Sequence, residues 1–184
     1  MQAEQGARYS GVAMLLHWVI AIAVIVNWRL AESAHDGPRE AGASLMATHK
    51  AIGMTILALT LVRLAWRLAH PSAVRTGDLK PWERVLAKTV HVTFYVLLVG
   101  LPLLGWLGSS AFDKPVDWFG LFQIPALPVG RNPDTGETLF EIHETLGGAM
   151  VWLIALHVAG ALKHTFWDKD GTLWRMLPFG NPRG

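Results

Sequence analysis

The chain has 184 residues, of which 52% are hydrophobic and only 16% charged, with a net charge of +2 and a mean hydropathy of +0.32. That is too apolar for an ordinary soluble domain of this size and implies a membrane protein. The modest positive charge belongs to loops beside lipid and carries no nucleic-acid inference, and the absence of cysteine excludes disulfides and thiolate chemistry.

The first segment free of Asp, Glu, Lys and Arg runs from Gly11 to Trp28 and predicts a spanning helix over about 11–30. A signal peptide is a poor fit, because the apolar run is long and no small-residue cleavage site follows it. The second runs from Ala51 to Val62. It reaches spanning length, over about 46–67, once His49, Lys50, Arg63 and Trp66 are counted as interfacial ends. A third helix is predicted over about 88–109, with a kink at Pro102 flanked by Gly100 and Gly105. The long connection that follows contains DWFGLFQIPALPVGRNPDTG. Its Trp118, Phe119, Leu121 and Phe122 suggest a short interfacial helix lying as a lid on the outer face. The fourth span is predicted over about 143–166.

These elements give an all-α, four-helix transmembrane bundle and a single domain over 1–184. The N-terminal tail, the 63–88 segment and the C-terminal tail hold eleven basic residues: Arg8, Arg63, Arg67, Arg75, Lys80, Arg84, Lys88, Lys163, Lys169, Arg175 and Arg183. The other side holds Arg29, Arg39, Lys50, Lys114 and Arg131. By the positive-inside rule, both termini are expected in the cytoplasm.

The histidines carry the chemistry, since a polar ring in a spanning helix is costly without a partner. His35 and His70 fall in predicted loops. On the fourth helix His143, Met150, His157 and His164 are seven residues apart and share one stripe, because seven residues make about two turns. His143 and His157 are then separated by about 21 Å of rise, one toward each membrane surface. His17 matches the depth of His157, and His49 that of His143. Two imidazoles from facing helices at one depth suit the axial positions of a haem iron in a bundle core. Gly53, Gly147, Gly160 and Ala161, each near a candidate ligand, leave room for a flat macrocycle.

On the second helix His49, Gly53, Ile56, Thr60, Arg63 and Arg67 share a face. Arg63 and Arg67 are thereby placed near the inner pair, where they would hold haem propionates or an anionic substrate. Structural histidines, a zinc site and a proton relay are the competing readings. Zinc favours three or four ligands together, and a relay usually adds carboxylates within the spans, which this chain lacks. His91 and His164 reach the cytoplasmic side as either interfacial caps or substrate contacts.

The segments RYSGVAMLLHW (8–18), THKAIGM (48–54), VRLAWRLAHP (62–71), WFGLFQIP (118–125) and IHETLGGAMVWLIALHVAGALKHTFW (142–167) resemble the bacterial cytochrome b561 family, and within it the short stand-alone members that oxidise superoxide. The resemblance covers nearly the whole chain. It implies an inner-membrane protein with two haem b groups, His17 and His157 serving the inner one and His49 and His143 the outer one. It also implies electron transfer from periplasmic superoxide to ubiquinone, with oxygen released outside. His91, His164 and Arg67 would then form the quinone side, and Lys50 would attract superoxide. The outer loops hold nine acidic residues against five basic ones, which is poor steering for an anion. This supports a second reading, in which the chain is an electron-carrier subunit linking a periplasmic dehydrogenase or soluble cytochrome, as redox protein partner, to the quinone pool. A haemless scaffold is a third.

Overall fold

The computed structural model describes residues 8–71 and 80–180, so Arg75 and Arg183 of the basic count lie outside the described residues. Four long helices dominate: α1 (Gly11–Asp36), α2 (Arg39–Ala69), α3 (Pro81–Ala111) and α4 (Pro133–Lys163). All four are long and apolar enough to cross a membrane. The chain is thus a four-helix membrane bundle, and side chains such as Trp152 and Leu68, 80% and 74% exposed, face the surrounding lipid.

Polar residues cap the starts of α1, α3 and α4. Ser10 accepts a hydrogen bond from the Ala13 N–H at the start of α1. Asn132 does the same for Thr135 ahead of α4, where Pro133 occupies the first helical position, ten residues before the expected start. Pro81 likewise opens α3, with the Glu83 carboxylate accepting from the Lys80 N–H. α3 stays α-helical through Pro102.

The predicted interfacial helix at 118–122 is instead a β-hairpin. β1 (Val116–Trp118) pairs antiparallel with β2 (Phe122–Ile124), in the register Val116–Ile124 and Trp118–Phe122. The turn places Phe119 and Gly120 at φ of 53° and 72°, the left-handed geometry that hairpin turns need, and Asp117 caps the Gly120 N–H. The aromatic run looked amphipathic, but Pro115 and Pro125 confine it to a segment too short for a helix. The hairpin folds back on α2, with the Trp118 indole N–H donating to Thr55 Oγ1 at 3.0 Å.

The two helix pairs α1/α2 and α3/α4 each pack tightly, whereas α1 and α4 make little backbone contact, leaving a cleft between the pairs. At the hairpin end, α3 and α4 interlock through glycines. The Phe112 and Phe140 rings stack at 5.9 Å, and a Cβ on Gly108 would lie 2.6 Å from Phe140. Gly108→Ala is expected to cost about 1–3 kcal/mol through overpacking, read as a lower thermal midpoint in detergent.

Both chain ends lie together. Tyr9 N–H donates to the Arg175 carbonyl, the Trp18 indole to the Met176 carbonyl, and Arg8 to the carbonyls of Pro178 and Gly180. The segment after α4 therefore straps the open side between α1 and α4.

Candidate functional site

The cleft is lined by the histidines singled out in the sequence. His49 of α2 faces His143 of α4 with ring centres 6.0 Å apart. His17 of α1 faces His157 of α4 at 6.2 Å. A metal–imidazole bond of about 2 Å, plus about 1 Å from nitrogen to ring centre, places two rings on opposite sides of one metal ion roughly 6 Å apart. Both pairs therefore have the separation of axial ligands to a single iron, and neither forms the three- or four-ligand cluster of zinc.

Second contacts orient the pair near the hairpin. His49 Nδ1 lies 3.0 Å from the Asn27 carbonyl and His143 Nδ1 lies 2.9 Å from the Leu101 carbonyl. A carbonyl only accepts, so each Nδ1 carries the proton and each Nε2 is left bare for a metal. Gly105 brings α3 close enough for the second contact, since a Cβ there would press on the His143 ring at 3.4 Å. His17 and His157 have no such anchor among the described residues.

Glycines on the cleft side complete the cradle. A Cβ built on Gly147, one turn from His143, or on Gly160, one turn from His157, meets no protein atom within 4 Å. Few apolar side chains are buried among the described residues, Ile20, Ile56, Leu97 and Met150 among them. A bundle with so thin a protein core and so open a cleft fits a large flat cofactor between its helix pairs.

The inner pair has a third histidine beside it. The His91 ring is 5.6 Å from His157, and Phe94 packs edge-on to the same ring at 5.3 Å. His91 and His157 lie on α3 and α4, the two helices of one packed pair. His17 and His157 face each other across the cleft. Arg63 and Arg67 lie on the same stretch of α2, near the start of α1, where Arg63 donates to the Ala13 carbonyl one turn from His17. They line a cavity of about 280 Å³ with Arg8, Tyr9, His70 and Tyr95. The Arg63 bond to Ala13 measures 2.6 Å, and the Tyr95 hydroxyl is buried with no hydrogen-bond partner among the described residues. His70, expected in a loop, caps α2 and stacks on Trp66 at 3.9 Å; His35 is in the last turn of α1.

His164 Nδ1 lies 2.8 Å from Asp170 and 2.9 Å from Asp168, contacts with no signature along the chain. At the hairpin end Lys50 follows His49 directly and lies within reach of the Lys114 charge.

The model of the prokaryotic cytochrome b561 family matches residues 8–179. The chain belongs to this family. Cytochrome b561 homolog 2 of Escherichia coli is 33% identical over 92% of this chain and 91% of its own length. Cytochrome b561 homolog 1 of the same organism is 29% identical over 93% of this chain and 97% of its own. A Yersinia pestis protein named probable superoxide oxidase CybB is 28% identical over 93% and 96%. The chain is accordingly a bacterial membrane electron carrier of the oxidoreductase type, and haem b is the cofactor of its family. The cleft of this cytochrome b561 member fits that cofactor in ring spacing, tautomer and open glycine faces.

Proposed function

We propose that the protein is a single-domain, inner-membrane cytochrome that holds two haem b groups and carries electrons from periplasmic superoxide to ubiquinone. The observation that carries this reading is the pair of histidine couples near 6 Å separation, at two depths of one cleft. His49 and His143 hold the outer group through Nε2, and His17 and His157 hold the inner one. The excess of basic residues on the side of the termini supports a cytoplasmic location for both. When bound, the two groups would supply reversible one-electron carriers, each held by two histidines, a ligand set suited to electron transfer rather than oxygen binding.

The residues around them do the rest. Arg63 and Arg67 offer guanidinium donors to propionates or to the quinone oxygens, in a cavity lined by Tyr95. His91, beside His157, and His164, in the turn after α4, are assigned to the quinone side. At the other end Lys50 and Lys114 form a local positive field that offsets the acidic outer loops and draws superoxide toward His49. The name of the Yersinia relative supports this choice of electron donor.

The acidic excess at the hairpin end favours a second reading. In it, a basic periplasmic redox protein docks there and this chain passes its electrons to the quinone pool. Purified protein should contain two haem b per chain. A superoxide-generating system should reduce them, faster in the wild type than in Lys50→Gln, and ubiquinone-1 should reoxidise them. Haems that ignore superoxide but react with ubiquinone would move the second reading ahead. One haem or none would sink both.

A further inference from the structure

The hairpin is set beside the helices and not on top of them. Its Trp118 indole reaches Thr55, six residues past His49 on α2 and so about 9 Å further along the span. Thr55 lies inside the charge-free run that begins at Ala51. At the end of β2 the Trp106 indole N–H donates to the Pro125 carbonyl at 3.1 Å. Trp106 follows Gly105, the residue beside the His143 ring, and stands seven residues before Asp113, the first charge after α3. Both anchors therefore lie at the level of the outer pair or further into the span. Because α2 and α3 belong to different helix pairs, the segment from Trp118 to Pro125 ties the two pairs together at that depth.

What the segment exposes there is apolar. Trp118 to Gly130 carries no Asp, Glu, Lys or Arg, and Phe119, Leu121 and Phe122 are 49%, 74% and 55% exposed around the turn. The Trp118 ring packs on both phenylalanines, at 5.2 and 5.0 Å, so the three rings form one tip. Asp117, the one charged residue of the hairpin, is engaged by the Gly120 N–H at 2.8 Å. Further backbone donors are also tied to protein acceptors: Leu121 to the Trp118 carbonyl at 3.0 Å, Leu127 to Ser110 Oγ at 2.9 Å and Val129 to the Leu127 carbonyl at 2.8 Å. Pro125 and Pro128 have no N–H to satisfy. A segment that needs so little water suits the boundary between headgroups and acyl chains. The hydrocarbon core is excluded, because the open edges of a two-stranded sheet would go unsatisfied there. Three side chains are also too small a patch for a stable protein partner, which covers about 800 Å² on each side.

We propose that residues 116–125 form a lipid-seated seal. Phe119, Leu121 and Phe122 sit in the bilayer interface at the hairpin end, where aromatic rings are favoured. Trp118 and Pro125 close the cleft between α2 and α3 at the level of His49 and His143. The partner of this surface is the headgroup–acyl boundary of the membrane, continuous with the lipid around the four spans. The seal keeps molecules dissolved in lipid from the outer pair on that side. The strap after α4 covers the opposite corner, between α1 and α4 at the terminal end. The seat in lipid holds whichever electron donor and acceptor the protein serves, whereas the effect on access rests on the two-haem reading above.

The test uses the full-length, haem-loaded protein in vesicles of phosphatidylethanolamine and phosphatidylglycerol. The chain has no cysteine, so a nitroxide on Leu121→Cys or on Phe122→Cys is the sole label. Its electron paramagnetic resonance signal should respond to oxygen and be shielded from a water-soluble nickel chelate. Nickel access should fall to the level of Trp152→Cys, which faces lipid, and below that of Asp134→Cys in the first turn of α4. Trp118→Phe keeps a ring but loses the bond to Thr55, and should raise both the mobility and the nickel access of the label at Leu121. Nickel access at both positions equal to that of Asp134→Cys overturns the seat in lipid. Shielding from both reagents with spin–spin broadening overturns it too, by showing a second copy on the tip. For the seal, His157→Ala protein, which keeps the outer haem alone, should be reoxidised by decylubiquinone several-fold faster once Trp118→Ala is added. An unchanged rate overturns the seal. Wild-type protein with one haem or none marks failure of the two-haem reading instead, and the nitroxide result then decides the seat in lipid by itself.

Discussion

A His157→Ala protein is expected to retain one haem of the two, and His143→Ala to retain the other. The two variants should therefore give complementary optical spectra whose sum approximates the wild type. The reason is geometric. Each ring sits opposite one partner across the cleft, at 6.2 Å for His17 and 6.0 Å for His49, and α4 supplies one ligand at each depth. Alanine leaves one axial position without a ligand and removes a ring from the cleft wall. The loss should be local, because the other pair lies about 21 Å away along α4. His91 is the control that separates this pairing from its nearest rival. Its ring is 5.6 Å from His157, yet it lies on the helix packed beside α4 instead of across the cleft, so His91→Ala should keep both haems and slow only the reaction with quinone. Haem loss in His91→Ala with retention in His17→Ala would reverse the assignment of the inner ligand. Haem per chain, by pyridine haemochrome against protein concentration, decides between them.

The pairing was legible in the sequence because seven-residue spacing on one helix is a strict geometric statement. Two histidines 14 residues apart must face the same way at different depths, and His17 and His49 lie at the matching levels, with His91 as a further ring beside His157. The position of Arg63 and Arg67 beside the inner pair followed from the same periodicity. Helix ends were less legible, since hydropathy marks where a helix leaves lipid rather than where its hydrogen bonds stop. The Asn132–Pro133 start of α4 nevertheless carried a readable signal, a capping side chain before a proline. The hairpin at 116–124 was misread because aromatic composition outweighed the Phe119–Gly120 turn. Contacts that depend on three-dimensional register had no signature along the chain. The Leu101 and Asn27 carbonyls fix the outer tautomers only through the packing of neighbouring helices. Asp170 reaches His164 only because Lys169 and Gly171 turn the backbone back.

Gly147→Leu and Gly160→Leu test the cleft from the opposite direction, by filling it instead of removing a ligand. Neither glycine has a protein atom within 4 Å of the position its Cβ would take, so the protein alone offers no steric objection to a larger side chain. In a helix interior, leucine is favoured over glycine by close to 1 kcal/mol, and extra apolar surface in an open cleft adds to that preference. A bundle whose glycine faces merely adjoin lipid should become slightly more stable in both variants. If the macrocycles occupy those faces, the leucine takes their space instead. Gly147→Leu should then lose the outer haem and Gly160→Leu the inner one, each with its axial histidines intact. Apoprotein and haem-loaded protein should respond with opposite signs, the apoprotein midpoint rising by a degree or so and the haem-loaded midpoint falling as the cofactor dissociates. Gly148→Leu is the matched control: a Cβ on Gly148 likewise meets no protein atom within 4 Å, but the residue is exposed and turned about 100° around α4 from Gly147. It should keep both haems. Thermal melts followed by helix content and by haem absorbance together separate these outcomes, and full haem content in both cleft variants would place the cofactors elsewhere in the bundle.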